Sequence, residues 1–405
     1  MKILMVNKFL YPKGGAETYF LKIGKYFEGI GHQVEYFGMY DEKNIVGNSA
    51  NEYTTNFDFH TSKIKKVTYP FKIIYSKEAK SKIKKVIEKF KPDIIHMNNI
   101  NFQLTPSIID AAYEMNIPIV QTVHDYQMIC PNHLLFNPNN NKICENCIHG
   151  SRNNCIKGNC IHGSKAKSII GTVEGILYAK RETYKKVDKY ICPSYFLENK
   201  LIEANSNIYS EKTIAIHNFI DLKEKINVEK EDYVLYFGRI AEEKGFKTFI
   251  ETCKELPNIK FKVAGTGPLA ELCKNVQNID FVGFKTGKDL EELIAKAQFS
   301  VYPSIWYENC PLSILESESL GTPVITAKYG GMMELVENSI TGVLIDEVNI
   351  ENLKNAIVSL YNSKSKIEEM SKNCIKKREK MITLNEYCEK IMEIYKDIIE
   401  EKAKK

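Results

Sequence analysis

Arg239, Lys244, Glu308 and Glu316 have the residue types and spacing to do chemistry together. Arg239 closes an apolar run that begins at Tyr233, and Lys244 follows shortly after, ahead of a helix. Two cations so placed can clamp phosphates. Glu308 lies just before a second helix and Glu316 lies on it. Carboxylates accept hydrogen bonds from hydroxyls, and helix N-termini attract anions. The ligand that suits this set carries both phosphate and sugar. Gly265-Thr266-Gly267-Pro268 adds a turn where backbone can come close to a flat ring. Each feature alone has a plainer reading, Glu242-Glu243-Lys244 as exposed charge and the glycine turn as an ordinary loop.

The segments that must position these residues alternate strand and helix. Phe299 to Tyr302 reads as a strand stopped by Pro303, and Pro311 suits the first turn of a helix whose stripe is Leu312, Leu315 and Leu320. Gly321-Thr322-Pro323 ends that helix, Val324 to Thr326 forms the next strand, and Gly330-Gly331 opens a further helix. Ile259 to Ala264 and Ile279 to Gly283 are also strands. The first half has the same rhythm. Lys2 to Val6 is a buried-type strand, Asn7 to Gly15 a loop, and Phe20, Ile23, Phe27 and Ile30 mark one helix face. Gly14-Gly15 reads either as a tight turn or as backbone amides approaching a phosphate or sugar. The loop is not GxGxxG, so the dinucleotide fingerprint of a dehydrogenase is absent. Further strands follow at Asp93 to Met97 and Ile117 to Val123. The latter ends in His124, on the edge where parallel sheets bind ligands. The expected fold class is α/β, with two Rossmann-like domains facing across a cleft. Asp221 to Asp232 is the best linker.

With 43% apolar and 26% charged residues over 405 positions, the chain has room for two cores. A formal charge of +5 is too mild to imply nucleic acid. The start lacks a signal-peptide layout and no apolar run spans a bilayer, so a cytoplasmic protein is expected. Asp41 to Lys63 reads as a mobile loop. Lys63 to Lys91 holds eleven lysines against Glu78 and Glu88; it is either a solvated outer helix with Ile83, Val86, Ile87 and Phe90 inward, or a patch touching the inner membrane face. Cysteines cluster at 130, 144, 147, 155 and 160 within an insertion at 130–164. Cys144, Cys147, Cys155 and Cys160 could hold a structural zinc, with free thiols or disulfides as the alternatives.

The ordered set Gly238-Arg239, Lys244, Gly265-x-Gly267-Pro268, Pro303-Ser304, Glu308/Glu316, Gly321-x-Pro323 and Gly330-Gly331-x-x-Glu334 resembles the retaining GT-B glycosyltransferases of family 4. The resemblance covers nearly the whole chain and implies an acceptor-side domain at 1–220, a nucleotide-sugar donor domain at 221–382, and a C-terminal helix at 383–405 returning to the first domain. It implies that Arg239 and Lys244 hold the donor diphosphate, Glu316 the ribose, and Glu308 the donor sugar. The amides of Leu312 and Ser313 would meet phosphate, Gly14 and Gly15 would face the donor, and His124 would lie near the transferred sugar. Catalysis would need no cofactor, because the two cations replace a metal. The partners implied are a nucleotide-diphosphate sugar and a saccharide or lipid-linked acceptor, in envelope or other polysaccharide assembly. Asn309-Cys310-Pro311 departs from the Phe-Gly often found after the first glutamate. A nucleotide-sugar epimerase of the same fold and a catalytically silent nucleotide-sugar-binding subunit are the competing readings.

Overall fold

The structure, a computed structural model, describes residues 1–56, 69–221 and 228–404. It divides into two units, one of Met1–Asn139, Cys144–His217 and Leu384–Lys405, the other of Asn140–Ile143 and Asn218–Thr383. The first is built on a six-stranded parallel sheet of β1 (Lys2–Val6), β2 (Gln33–Phe37), β3 (Ile94–Met97), β4 (Ile119–Thr122), β5 (Lys189–Cys192) and β6 (Thr213–Ala215). Its order is β2-β1-β3-β4-β5-β6. Ile3, Leu4, Met5 and Val6 are fully buried, as a strand covered by helices on both faces requires.

Helix α1 (Gly15–Gly29) turns Phe20, Ile23 and Phe27 to the core, and α2 (Lys77–Phe90) turns in Ile83, Val86, Ile87 and Phe90. The lysines of α2 meet acceptors of the same unit: Lys80 and Lys84 pair with Glu114, Lys85 with Glu52 and Lys82 with Glu78. The segment from Asp41 to Asn56, expected to be mobile, is instead fastened. Asn48 donates to the carbonyls of Tyr36 and Glu52, and Asn44 to that of Met39. Asparagine amides substitute for backbone donors there, so a polar composition coexists with order. The remainder of that loop, at 57–63, and much of the expected linker, at 222–227, lie outside the described residues. Helix α3 (Lys165–Lys180) follows the insertion. The last helix of the chain lies in the first unit and buries Tyr387, Ile391, Ile394, Tyr395 and Ile398. No helix of the described residues is long and apolar enough to cross a membrane.

The second unit repeats the plan with β7 (Val234–Arg239), β8 (Phe261–Thr266), β9 (Ile279–Gly283), β10 (Phe299–Tyr302), β11 (Val324–Ala327) and β12 (Gly342–Ile345). All pair in parallel, in the order β9-β8-β7-β10-β11-β12. The strand order reverses between β7 and β10, and a crevice outside the carboxyl ends of such strands is where open α/β sheets bind ligands. Tyr236 packs edge to face on Phe246, as Phe249 does on Phe261, and Tyr236 meets Phe249 at a tilt, in the core of this unit. Two helices complete the set used below, α4 (Leu312–Ser319) in this unit and α5 (Leu384–Ala403) in the first.

Glycines let the loops at that edge touch through their backbones. Gly330 has φ +61°, and a Cβ there would sit 2.4 Å from the Glu308 carbonyl oxygen. The next amide, that of Gly331, donates to the same oxygen at 2.7 Å. Gly330→Ala is therefore expected to destabilise the protein by about 3 kcal/mol, summing left-handed strain and overpacking. Urea unfolding checks this, and a loss below measurement error would remove the close approach from the account.

Candidate functional site

The strand reversal in the second unit gathers most of the residues singled out above. Arg239 ends β7 and Lys244 ends the short turn Glu242–Lys244 beyond it. The Glu243 carbonyl accepts from the Ile305 amide at 3.1 Å and the Ser304 hydroxyl at 3.2 Å, which ties this turn to the loop after β10. Gly245, at φ +69°, passes where a Cβ would overlap the Pro303 carbonyl oxygen. Lys244 is thereby brought onto Glu308, and the two form an ion pair through Glu308 Oε1. The same oxygen accepts from Trp306 Nε1 at 2.6 Å, Ser304 Oγ at 2.8 Å and Tyr302 Oη at 3.2 Å. Lys244 also donates to Tyr302 Oη at 3.0 Å. Only 9% of Glu308 is exposed. Burial alone would raise its pKa, but the Lys244 charge and the converging hydrogen bonds outweigh it and hold the carboxyl below its ordinary value. Glu308 is thus a carboxylate at neutral pH.

Arg239 is more than half exposed and pairs with Glu243. Ser313, in the first turn of α4, faces Gly238, where a Cβ would stand 3.6 Å from its hydroxyl. The β8 loop closes on the same strand end, since a Cβ on Gly267 would stand 2.1 Å from the Ile240 carbonyl and one on Gly265 1.9 Å from that of Gly238. Arg239, Lys244, Gly265, Gly267, Glu308, Leu312 and Ser313 thus come from three adjacent strand ends and one helix start. Glu316 is exposed on that helix.

Two expectations about this stretch need correction. The helix after Gly330-Gly331 is a single turn, Met332–Leu335, and the Gly331 amide is spent on Glu308 rather than open to an anion. The buried face of α4 is Ile314, Leu315, Ser317 and Glu318; Leu315 lies inward as expected, while Leu312 and Leu320 are only partly buried. Glu318 was missed because an acidic residue gives no burial signal. It is fully buried, held by Lys377 at 2.8 Å and the Thr341 hydroxyl at 2.6 Å. Tyr302 and Trp306 were also missed as partners of Glu308; Trp306 is the only tryptophan of the chain, and that rarity was the available signal.

In the first unit Gly14 and Gly15 stand at the start of α1, and His124 lies just past the end of β4. Gly14 caps α1 in extended conformation, φ −162°, so its backbone does not require glycine. His124 follows β4, with Nε2 at 2.9 Å from Asn98 Oδ1. Burial pushes this imidazole down to about 4, so it is neutral at pH 7. Asn98 gave no sequence signal beyond its position after β3.

The zinc set expected from Cys144, Cys147, Cys155 and Cys160 is not assembled. None of these thiols is in a disulfide, and although they neighbour one another, three of them do not gather within 4.8 Å among the described residues. Cys155 and Cys160 hydrogen-bond each other, Cys147 Sγ lies 3.9 Å from the Arg152 carbonyl, and Cys130 Sγ donates to Asn132 at 2.8 Å. The ligand-type atoms that do gather within 4.8 Å among the described residues belong to Glu145, His149 and Glu203. Lys200 already pairs with both of those carboxylates, at 2.8 and 2.9 Å.

Residues 218–381 match the family described as glycosyl transferases group 1, and residues 13–153 match Glycosyltransferase Family 4. The chain belongs to these glycosyltransferases. It is 29% identical over 230 residues to an Escherichia coli UDP-Gal:alpha-D-GlcNAc-diphosphoundecaprenol alpha-1,3-galactosyltransferase, a match that spans 52% of this chain and 58% of that protein. An uncharacterized glycosyltransferase of Methanocaldococcus jannaschii is 26% identical over 208 residues, or 50% of this chain and 57% of that one. The chain therefore spans under two thirds of the length of both relatives. Among solved structures, Anabaena HepE in complex with UDP superposes with a TM-score of 0.69 at 18% identity, covering 98% of this chain and 100% of that one. That likeness establishes the GT-B fold of this glycosyltransferase.

Two outcomes test the insertion and its supporting helix. Elemental analysis of protein purified without chelators is expected to find less than stoichiometric zinc; a full equivalent per chain would restore the four-thiol site. Glu174 on α3 is buried against Gln127, and burial pushes its carboxyl up to about 8 despite the Gln127 hydrogen bond. The unfolded carboxyl ionises near 4.5 while the folded one keeps its proton to about 8, so stability should fall as pH rises between those values. Glu174→Gln should flatten that slope in unfolding measured across the range, and an unaltered slope would count against the buried proton.

Proposed function

We propose that this glycosyltransferase moves a sugar from a nucleotide-diphosphate sugar, with a uridine nucleotide first in order, to a hydroxyl of a saccharide or lipid-linked acceptor, keeping the anomeric configuration. The observation that carries the reading is the convergence of Arg239, Lys244, Glu308 and the start of α4 at the strand reversal. The UDP held by the structurally similar HepE and the uridine donor in the name of the E. coli relative support the nucleotide. That relative's diphosphoundecaprenol acceptor supports a role in envelope polysaccharide assembly. A cytoplasmic place, where nucleotide sugars are made, fits the same reading.

Transfer breaks the bond from sugar C1 to the diphosphate oxygen, and the electron pair leaves with the diphosphate. Arg239, Lys244 and the first amides of α4, at Leu312 and Ser313, would stabilise that charge as it develops, without a metal. The acceptor oxygen bonds to C1 from the leaving-group face, and its proton passes to a phosphate oxygen of the departing nucleotide. Glu308, already ionised, suits hydrogen bonding to sugar hydroxyls and not proton donation. Glu316 would take the ribose hydroxyls, Gly265 and Gly267 would let the base approach, and Gly14, Gly15 and His124 would border the sugar from the first unit.

Thermal shift with UDP, UDP-glucose and UDP-galactose, followed by turnover measured as UDP release, tests the donor. Arg239→Ala is expected to lower kcat/KM by about 100-fold, close to 3 kcal/mol. Lys244→Ala should match it, with added instability because Glu308 is left buried and unpaired. Wild-type turnover in a folded Arg239→Ala protein would overturn the clamp. Donor binding without any transfer would favour the silent-subunit reading.

A further inference from the structure

The last helix carries two tyrosines into the polar interior of the first unit, and neither belongs to any motif read from the sequence. Tyr387 Oη lies 2.7 Å from Tyr19 Oη, and Tyr19 Oη lies 3.0 Å from Thr122 Oγ1. Thr122 Oγ1 lies 2.7 Å from His96 Nε2, and His96 Nδ1 lies 2.5 Å from Tyr395 Oη. The chain therefore leaves α5 at one turn, crosses α1, β4 and β3, and returns to α5 two turns later. Tyr19, His96, Thr122, Tyr387 and Tyr395 are at most 4% exposed. Groups so deeply buried have no water to replace a lost partner.

Neutral imidazole has one donor and one acceptor nitrogen, and that makes the chain directional. If His96 Nε2 carries the proton, it donates to Thr122, Thr122 to Tyr19 and Tyr19 to Tyr387, while Tyr395 donates to Nδ1. With the other tautomer every hydroxyl reverses. In both cases Tyr19 is pinned by two hydrogen bonds. Its ring stands edge-on to His124, 5.1 Å between centroids at 77°. Thr122, the other anchor of Tyr19, is on the strand that leads into His124.

We propose that Tyr19 and Tyr387 are positioning residues for His124, so that the C-terminal helix fixes the imidazole beside the sugar. Part of this rests on the reading that places His124 near the transferred sugar. Tyr387 acts through Tyr19 and touches no reacting atom. The helix is then a working part of the first unit's site as well as a cover for its core.

The test separates the two layers. Long-range imidazole proton–nitrogen spectra of the full chain report each histidine ring, and His124→Ala identifies the His124 signals. Tyr387→Phe and Tyr19→Phe, which keep the rings, should shift those signals; Tyr395→Phe should shift His96 and leave His124 in place. His124 signals unmoved in Tyr387→Phe, or moved equally by Tyr395→Phe, would overturn the proposal, the latter because the effect would be general helix docking. In turnover of UDP-glucose or UDP-galactose, Tyr387→Phe is expected to lower kcat about tenfold with KM for the donor unchanged. It should cost nothing further in a His124→Ala background. Full activity of His124→Ala would instead count against the sugar-site reading, whatever the spectra show.

Discussion

The contact on which the second unit's site depends is the ion pair of Lys244 with Glu308. Both side chains are largely buried, at 13% and 11% exposed. Desolvating two charges is costly, and their attraction offsets it only when the remaining hydrogen-bond capacity is filled. Trp306, Ser304 and Tyr302 fill it. The loops before and after are shaped to permit the pair, with Gly245 threading past Pro303 and Gly330 past Glu308. In the proposed reading, an arriving diphosphate offers Lys244 a second anion at the place where Glu308 waits for sugar hydroxyls. The site would then bind the donor by redistributing a charge it already holds rather than by exposing a bare one.

The two units solve the same folding problem and use their strand ends differently. The second concentrates charge at the β7–β10 reversal. The first places neutral polar groups at its strand ends, with Asn98 beside His124 and the tyrosine–threonine–histidine chain behind. Burial keeps both His96 and His124 uncharged at neutral pH. In the proposed reading the uncharged His124, with Asp125 and Lys8 close by, suits contact with sugar hydroxyls, whereas Arg239 and Lys244 suit phosphate.

Much of the fold was legible because parallel strands buried on both faces are written as apolar runs, and glycine or proline punctuates their ends. Phe299–Tyr302 and the inward face of α2 agree with that reading residue for residue. The loop from Asp41 was misjudged because an asparagine that substitutes for a backbone donor has the same composition as one exposed to water. In the insertion, cysteine spacing along the chain suggested ligands; the thiols do neighbour one another, with Cys155 and Cys160 hydrogen-bonded, but three of them do not gather within 4.8 Å among the described residues.

The sequence by itself determined the alternation of strands and helices, the ordered motifs at 238–244 and 303–334, and hence the family. Those features are local, or recur at fixed spacing, so they survive without coordinates. Only the tertiary structure decided that Lys244 and Glu308, 64 positions apart, meet in one buried pair, and that Tyr387 reaches Tyr19 across 368 positions. Such partners are chosen by strand order and by where a helix packs, which no single stretch of sequence encodes.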